Sequence, residues 1–334
     1  MQATPARPTD PPSFAPILLA FLALLVGCGS SGGGDARVPV SFSVSDAAVG
    51  ELARVVVTLD RVTVNRPGED IVVETFPQAD PTLPETDTIT FDLLDFQGTN
   101  RLLIIEGLML APGPYQNLRL EVVEAQSFVE EADGDIRPLK TPSGELKLGG
   151  FEVAGDGPQA FVVEFPLMHA MTYNPSPARY ILKPRGVRIV DVQRGVTLGG
   201  FVDVSLFGAG AGCDLKPDAT DGNVVYLYEG HGLDLAALGD LFDPEIDATA
   251  AAALTPPFAA ERVAADGSYL FAFLPDGRYT IAFACDAGAD DPDLDDGILV
   301  PNPADEWKEI EILEGEDRIC DFPIDAGLCL QGPS

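Results

Sequence analysis

The sequence has few basic side chains for its length. Among 334 residues, 20 are Lys or Arg and 53 are Asp or Glu, which gives a formal net charge of −33. A negative charge of this size repels the phosphates of nucleic acids and of anionic lipid headgroups. The composition therefore excludes a nucleic-acid-binding protein, and no nucleic acid is expected among its partners.

Histidine and tryptophan are also scarce. The chain has two His and one Trp, and neither His169 nor His231 has a second histidine at the spacing of metal ligands. The H-E-x-x-H motif of zinc hydrolases is missing. The sequence therefore predicts no catalytic residues, no cofactor and no enzyme. A carboxylate-based hydrolase stays open as an alternative, because 53 acidic residues make chance carboxylate pairs unavoidable.

The first apolar run is too short to span a bilayer. It covers residues 17–26, whereas a transmembrane helix needs about 20 apolar residues. Its length suits the apolar region of a signal peptide, and Gly27 and Cys28 follow where small residues are expected. Residues 25–28, Leu-Val-Gly-Cys, resemble the lipobox of bacterial lipoproteins. The alternative is an ordinary secretory signal with a chance cysteine, since Arg7 alone is basic before the run.

The lipobox resemblance implies a lipoprotein signal peptide over residues 1–27 and a lipidated Cys28 at the start of the mature chain. Acyl chains such as palmitate would anchor Cys28 in the bilayer, and residues 28–36 form a Gly/Ser tether. In such lipoproteins an Asp after the cysteine favours retention in the inner membrane. Gly29 and Ser30 stand there instead, so the resemblance predicts the bacterial cell envelope, and the outer membrane within it.

Past the tether, short runs with period-2 alternation are separated by Gly, Pro, Asn and Asp. Residues 38–44 place four alternating apolar side chains on one face, and residues 55–59 place three before the alternation shifts by one residue to Val62 and Val64. Such spacing is typical of an all-β sandwich. One helix is predicted over residues 243–254, with Asp243 as its cap and Pro244 in its first turn.

Charge divides the mature chain into two blocks. Residues 35–195 carry 14 basic and 24 acidic side chains, whereas residues 196–334 carry 5 and 28. This shift predicts a domain boundary near residue 195. We therefore expect two consecutive β-sandwich domains of immunoglobulin or transthyretin type, over residues 37–194 and 195–334.

Six segments of the first block resemble, in order, the bacterial family known as domain of unknown function 4382. They are Val-Ser-Asp-Ala at 44–47, residues 55–64, Phe-Asp-Leu-Leu-Asp-Phe at 91–96, residues 113–120, residues 139–148 and Arg-Tyr-Ile-Leu-Lys-Pro at 179–184. The resemblance brings no activity and no catalytic residues. Residues 200–204, 224–228 and 266–281 are similar, more loosely, to transthyretin-like or carboxypeptidase-regulatory-like sandwiches, which act mostly as rigid spacers or binding platforms.

Apart from Cys28, an even number of cysteines remains for an exported chain: Cys213, Cys285, Cys320 and Cys329. No C-x-x-C pair exists and neither histidine lies nearby, so two disulfides are favoured over a zinc site. Three connectivities are open. Cys213–Cys285 together with Cys320–Cys329 is the favoured one.

Residues 286–297 form an acidic loop with the composition of a calcium site. Its predicted ligands are Asp286, Asp290, Asp291, Asp293 and Asp295. The spacing departs from an EF-hand in two places, because Gly297 falls one position late and Asn302 stands where a bidentate Glu belongs. A solvated acidic loop is therefore favoured over a calcium-dependent binding module.

Together these observations predict a non-catalytic envelope lipoprotein that acts as a binding or structural scaffold. Its expected partners are the bilayer, through the acyl chains, and an envelope or surface protein. The alternatives are a calcium-dependent module and a hydrolase.

Overall fold

The structure is a computed structural model that describes residues 37–47, 52–78, 80, 82–323 and 329–332. The predicted signal peptide, Cys28 and the tether to residue 36 lie outside these residues. Within the described part of the chain, no helix is long and apolar enough to cross a membrane.

The first block is built almost entirely of strands. They are β1 (Val38–Ala47), β2 (Leu52–Arg66), β3 (Glu69–Val73), β4 (Ile89–Asp92), β5 (Leu102–Leu110), β6 (Gly113–Tyr115), β7 (Asn117–Val122), β8 (Phe128–Glu131), β9 (Ile136–Lys140), β10 (Glu145–Lys147), β11 (Phe151–Val153), β12 (Gln159–Pro166), β13 (Met171–Pro175), β14 (Ala178–Leu182) and β15 (Arg188–Asp191). The helical segments are α1 (Leu167–Ala170) and single 3₁₀ turns at Leu93–Phe96, Glu124–Gln126 and Pro142–Gly144.

Two large sheets share the core of this block. One has the strand order β15-β12-β1-β5, and the other follows β10-β7-β2-β8-β9-β14-β13, with β3 and β4 also paired to β2. Phe42 and Val163 of the first sheet and Val57 and Leu120 of the second belong to one buried cluster. The predicted all-β sandwich is therefore confirmed.

The slip in the alternation of β2 is a β-bulge. The pairing of β2 with β7 shifts register between Leu59 and Arg61, which inserts one extra residue on β2. Val57 and Leu59 before the bulge and Val62 and Val64 after it are all buried in the same core. The extra residue keeps the apolar side chains on one face.

The second block continues the β architecture. Its strands are β16 (Val196–Phe201), β17 (Val224–Glu229), β18 (Ala259–Arg262), β19 (Ser268–Leu274), β20 (Gly277–Ala284), β21 (Trp307–Ile312), β22 (Arg318–Ile319) and β23 (Leu330–Gln331). Its helical segments are α2 (Ala248–Ala251) and 3₁₀ turns at Val204–Leu206, Cys213–Leu215 and Leu235–Ala237. Two sheets result, β19-β16-β22-β23 and β18-β17-β20-β21.

Strand β17 is buried on both faces. Val225 and Leu227 point into the core between the two sheets, whereas Tyr226 and Tyr228 pack on the opposite face with Leu241. Loops therefore form a third layer over this sheet, which a simple two-layer sandwich does not have. The acidic loop belongs to that layer.

The helix predicted over residues 243–254 is much shorter, so this prediction was wrong in extent and in its cap. Only Ala248–Ala251 is helical, and the side chain of Asp247 caps it by accepting the N–H groups of Thr249 and Ala250. Asp243 instead accepts the N–H of Glu245 in a tight turn and forms an ion pair with Arg185.

Both favoured disulfides are present. Cys213 is bonded to Cys285 across 72 residues, and Cys320 to Cys329 across 9. Cys213 and Cys285 are buried in the core of the second sandwich. The first disulfide therefore connects the segment before β17 to the residue that follows β20.

Residues 35–334 form one compact unit. β15 ends at Asp191 and β16 begins at Val196, and the large apolar clusters fall on either side of this connection. The domain boundary near residue 195 stays a prediction. The transthyretin-like character of the second sandwich also stays one.

Candidate binding cleft between the two sandwiches

An apolar contact joins the two sandwiches. Val162 and Val190 of the first sandwich form one buried cluster with Ala272 and Phe273 of β19. Phe273 has a φ of 50°, in the left-handed region that bulky residues rarely adopt, and the pairing of β16 with β19 is irregular beside it. The bulge carries the phenylalanine ring into the junction.

An ionic cluster lies beside this contact. The Arg185 guanidinium donates to the carbonyl oxygen of His169 at 2.8 Å, to a carboxylate oxygen of Asp243 at 2.8 Å and to one of Asp293 at 2.9 Å. Lys183 Nζ lies 2.5 and 2.6 Å from the two carboxylate oxygens of Asp293. The Arg185 side chain is only 13% exposed, so these ion pairs are largely withdrawn from solvent.

A second arginine also connects the sandwiches. Arg188 of β15 binds the carboxylate of Glu164, whose side chain is 2% exposed, and its guanidinium lies 4.7 Å from the ring centroid of Phe258 in the second sandwich. Burial raises the pKa of Glu164, although the Arg188 charge opposes this. Arg188 therefore adds a cation–π contact to the junction.

A cleft of about 490 Å³ opens at this junction, next to the ionic cluster. Its first wall comes from the first sandwich and includes Met168, all of β13 and Tyr180 of β14. Its second wall comes from the second sandwich and consists of Arg262 and residues 290–293 of the acidic loop. The cleft thus combines an apolar and aromatic side with a charged side, as ligand sites commonly do.

The acidic loop is anchored to the sheet beneath it. Asp290 accepts a hydrogen bond of 2.6 Å from the Tyr226 hydroxyl, and Asp293 is held by Lys183 and Arg185. Asp291 accepts the backbone N–H of Asp293 at 2.9 Å. The favoured expectation of a solvated loop therefore holds for part of the loop: Asp291 is exposed, whereas Asp290 and Asp293 turn toward the protein.

The five predicted calcium ligands do not meet at one point in the described structure. Asp293 is committed to an ion pair, Asp290 points to β17, and Asp286 is exposed at the other end of the loop. Among the residues that the structure describes, one trio of acidic groups is close enough to share a metal ion, and it comprises Glu131, Asp133 and Asp135. Calcium binding by the loop stays an untested prediction.

Asp240 holds the acidic loop from below, and the sequence analysis missed it. Its side chain is fully buried and accepts the backbone N–H groups of Asp296 at 3.1 Å and Ile298 at 2.9 Å. The Asp295 carboxyl also lies within hydrogen-bonding reach of it. A signal was available, because this aspartate is flanked by the apolar residues Leu238, Leu241 and Phe242.

Both anchoring carboxyls have strongly raised pKa values. Burial, together with the nearby carboxylates of Asp290 and Asp295, raises the pKa of Asp240 to about 7. Burial also raises the pKa of Asp290 to about 7, against the opposing hydrogen bonds from Tyr226 and Leu241. Each group is therefore easier to protonate in the folded chain than in the unfolded chain.

We expect the chain to lose stability as pH rises from about 5 to 8. In the folded chain the pKa values of Asp240 and Asp290 are about 7, against an ordinary aspartate value of 3.8. Between these values the folded state binds more protons, and this stabilisation is lost as pH rises through 7. Burial lowers the pKa of His169 from 6.5 to about 4, so this group makes the chain more stable as pH rises. It opposes the effect of the two carboxyls, but it is one group against two. Denaturation midpoints measured across this range check the sign.

Asp290→Asn should flatten this pH dependence, because it removes one of the two titrating groups while keeping an oxygen that can accept from Tyr226. Asp305→Asn, at an exposed carboxylate, is the matched control and should leave the profile unchanged. A wild-type stability that rises steadily from pH 5 to 8 would contradict the proposed protonation of the two anchoring carboxyls.

In comparisons with known proteins, the first sandwich matches a protein family. Residues 37–184 match the family model for "Domain of unknown function (DUF4382)", so the resemblance read from the sequence is confirmed for this part of the chain. No curated protein matches the chain. The family description carries no activity.

Three solved structures overlay on most of the chain. The TIE protein of Bacillus anthracis has 11% identity and a TM-score of 0.19 over 85% of this chain and 33% of its own, so the chain spans about a third of that protein. GBS52, the minor pilin of Streptococcus agalactiae, has 9% identity and a TM-score of 0.19 over 84% of this chain and 94% of its own. BcpA, the major pilin subunit of Bacillus cereus, has 8% identity and a TM-score of 0.20 over 86% of this chain and 69% of its own. TM-scores of this size do not establish a shared fold.

Proposed function

We propose that the chain is a non-catalytic lipoprotein of the bacterial cell envelope, anchored through Cys28, whose paired sandwiches act as a binding scaffold. The observation that carries the scaffold role is the junction cleft, whose two walls are fixed by the Arg185 and Lys183 ion pairs. A cleft held in shape before a ligand arrives loses little entropy when the ligand binds.

The carboxylates of the cleft support binding over hydrolysis. A glycosidase needs one carboxylic acid and a second carboxylate that is available to the substrate or to water. Asp290 has the raised pKa of an acid, but Asp293 is bound by Lys183 and Arg185. Asp291 already accepts a backbone N–H within its own loop. The cleft thus offers a recognition surface and no matched catalytic pair.

The lipid anchor makes a direct prediction. When the full chain is expressed in a bacterium with an outer membrane, radiolabelled palmitate should appear on it, and the protein should sediment with the outer membrane. Cys28→Ser should abolish the label and leave an uncut precursor, because the thiol is the acylation site that the lipobox resemblance implies. Cys329→Ser, the matched control at another cysteine, should keep the label. An unlabelled wild-type chain that is cut and released would overturn the anchor.

A further inference from the structure

Strand β13 presents a free edge to the cleft. It lies at the end of its sheet and pairs only with β14 among the described strands. All five of its residues, 171–175, line the cleft. Side chains on a strand alternate between two faces, so consecutive residues can all border a cavity only where the edge of the strand opens into it.

The pairing with β14 identifies which backbone groups point into the cleft. The N–H of Lys183 donates to the carbonyl of Ala170 at 2.7 Å, and Tyr173 lies opposite Tyr180 three positions further along the ladder. Bonded and non-bonded pairs alternate in an antiparallel ladder, so Tyr173 and Tyr180 form a non-bonded pair. The N–H and C=O of Tyr173 therefore point away from β14.

The side chains at this position are held in place. The rings of Tyr173 and Tyr180 lie 5.0 Å apart, and the Tyr180 hydroxyl donates to Glu131 at 3.1 Å. Tyr173 itself is 46% exposed. It offers an aromatic face beside the free strand edge, where a cationic side chain can stack.

The charges around the cleft determine which kind of strand can bind beside β13. Within the cleft Asp293 is paired with Lys183, and Asp290 accepts from Tyr226. Asp291 is the exposed carboxylate that lines the cleft. The second block as a whole carries 5 basic and 28 acidic side chains. The long-range field therefore attracts basic segments and repels acidic ones.

We propose that the cleft binds an extended segment of a partner protein that carries basic side chains, and that this segment adds as a strand to the free edge of β13. Backbone hydrogen bonds to Tyr173 hold the segment, and its Lys or Arg side chains reach the acidic loop and the Tyr173 ring. This inference rests on the proposed scaffold function and names the partner chemistry of its cleft.

The test uses synthetic peptides and residues 28–334 with Cys28→Ser, exported with a cleavable secretory signal in place of residues 1–27, so that the chain is cut and carries no lipid. The probe is the blocked peptide Thr-Lys-Val-Lys-Val-Lys-Thr, and its controls are the same peptide with N-methylated valines and a version with Glu in place of each Lys. Titration should show binding of the Lys peptide, weakened at least about tenfold by N-methylation and by the Glu exchange. Hydrogen exchange should show that this peptide protects the Tyr173 amide.

Tyr173→Pro removes the edge N–H without removing a bond to β14, so the fold should persist while binding falls about tenfold or more. Tyr173→Val is the matched control, because it also removes the ring but keeps the N–H; it should weaken binding by about threefold, the size of an exposed cation–π contact, so Tyr173→Pro should bind clearly more weakly than Tyr173→Val. Failure of the Lys peptide to bind, equal binding of the N-methylated peptide, or an unprotected Tyr173 amide would each overturn strand addition. The palmitate experiment tests the envelope anchor separately, so a failure of strand addition can be distinguished from a failure of the proposed envelope lipoprotein.

Discussion

Replacing Arg185 with methionine should cost about 3 kcal/mol of stability, because removing one partner of a largely buried ion pair leaves the other charges unpaired. Asp243, Asp293 and the His169 carbonyl would all lose their hydrogen bonds to the guanidinium. Methionine retains much of the apolar stem of arginine, so the loss of stability measures the contribution of the charged guanidinium. We also expect the two sandwiches to unfold in separate steps, detected by chemical denaturation followed with near-UV circular dichroism.

Arg194→Met is the matched control for this substitution. Arg194 pairs with Glu314 at 3.4 Å, but the two side chains are 63% and 53% exposed, and solvent screening leaves exposed ion pairs with little effect on stability. Equal effects of the two substitutions would show that the junction is solvated and that Arg185 does not hold it.

Loss of the Cys213–Cys285 disulfide should destabilise the second sandwich by about 4 kcal/mol, which follows from the entropy of the unfolded chain. The bond closes a loop of 72 residues, and its removal frees that loop in the unfolded state. The measurement is the free energy of unfolding of the double variant Cys213→Ala and Cys285→Ala, compared with the oxidised wild type.

The second disulfide provides the internal control. Cys320–Cys329 closes a loop of 9 residues, so its removal should cost less, about 3 kcal/mol on the same entropic scale. Cys213 and Cys285 are also more deeply buried than Cys329, which increases the expected difference. A larger loss from the short loop than from the long one would contradict this ranking.

The fold could be predicted from the sequence because its signals are local. Alternating apolar residues in β1 and β2 place one face in the core, and even the slip between Leu59 and Val62 is visible as a change of phase. The third layer over β17 was harder to predict. Its run Val-Val-Tyr-Leu-Tyr at 224–228 is apolar throughout, which is compatible with a strand buried on both faces but does not identify what covers it.

The cleft could not be predicted because its walls come from distant parts of the chain. Lys183 meets Asp293 across 110 residues, and nothing in the local sequence around either residue marks the other as its partner. The composition of the acidic loop suggested calcium, since carboxylate spacing is local information. Whether a carboxylate turns to solvent or to a buried tyrosine, as Asp290 does, is decided by tertiary packing.

The central claim is that the two sandwiches form one rigid unit and hold the cleft between them. Calorimetric unfolding of the lipid-free residues 28–334 with Cys28→Ser, exported with a cleavable secretory signal, tests it most directly. The junction of apolar, ionic and cation–π contacts predicts a single cooperative transition, with equal calorimetric and van't Hoff enthalpies. Two separate transitions in the wild-type chain, at temperatures that Arg185→Met leaves unchanged, would contradict it.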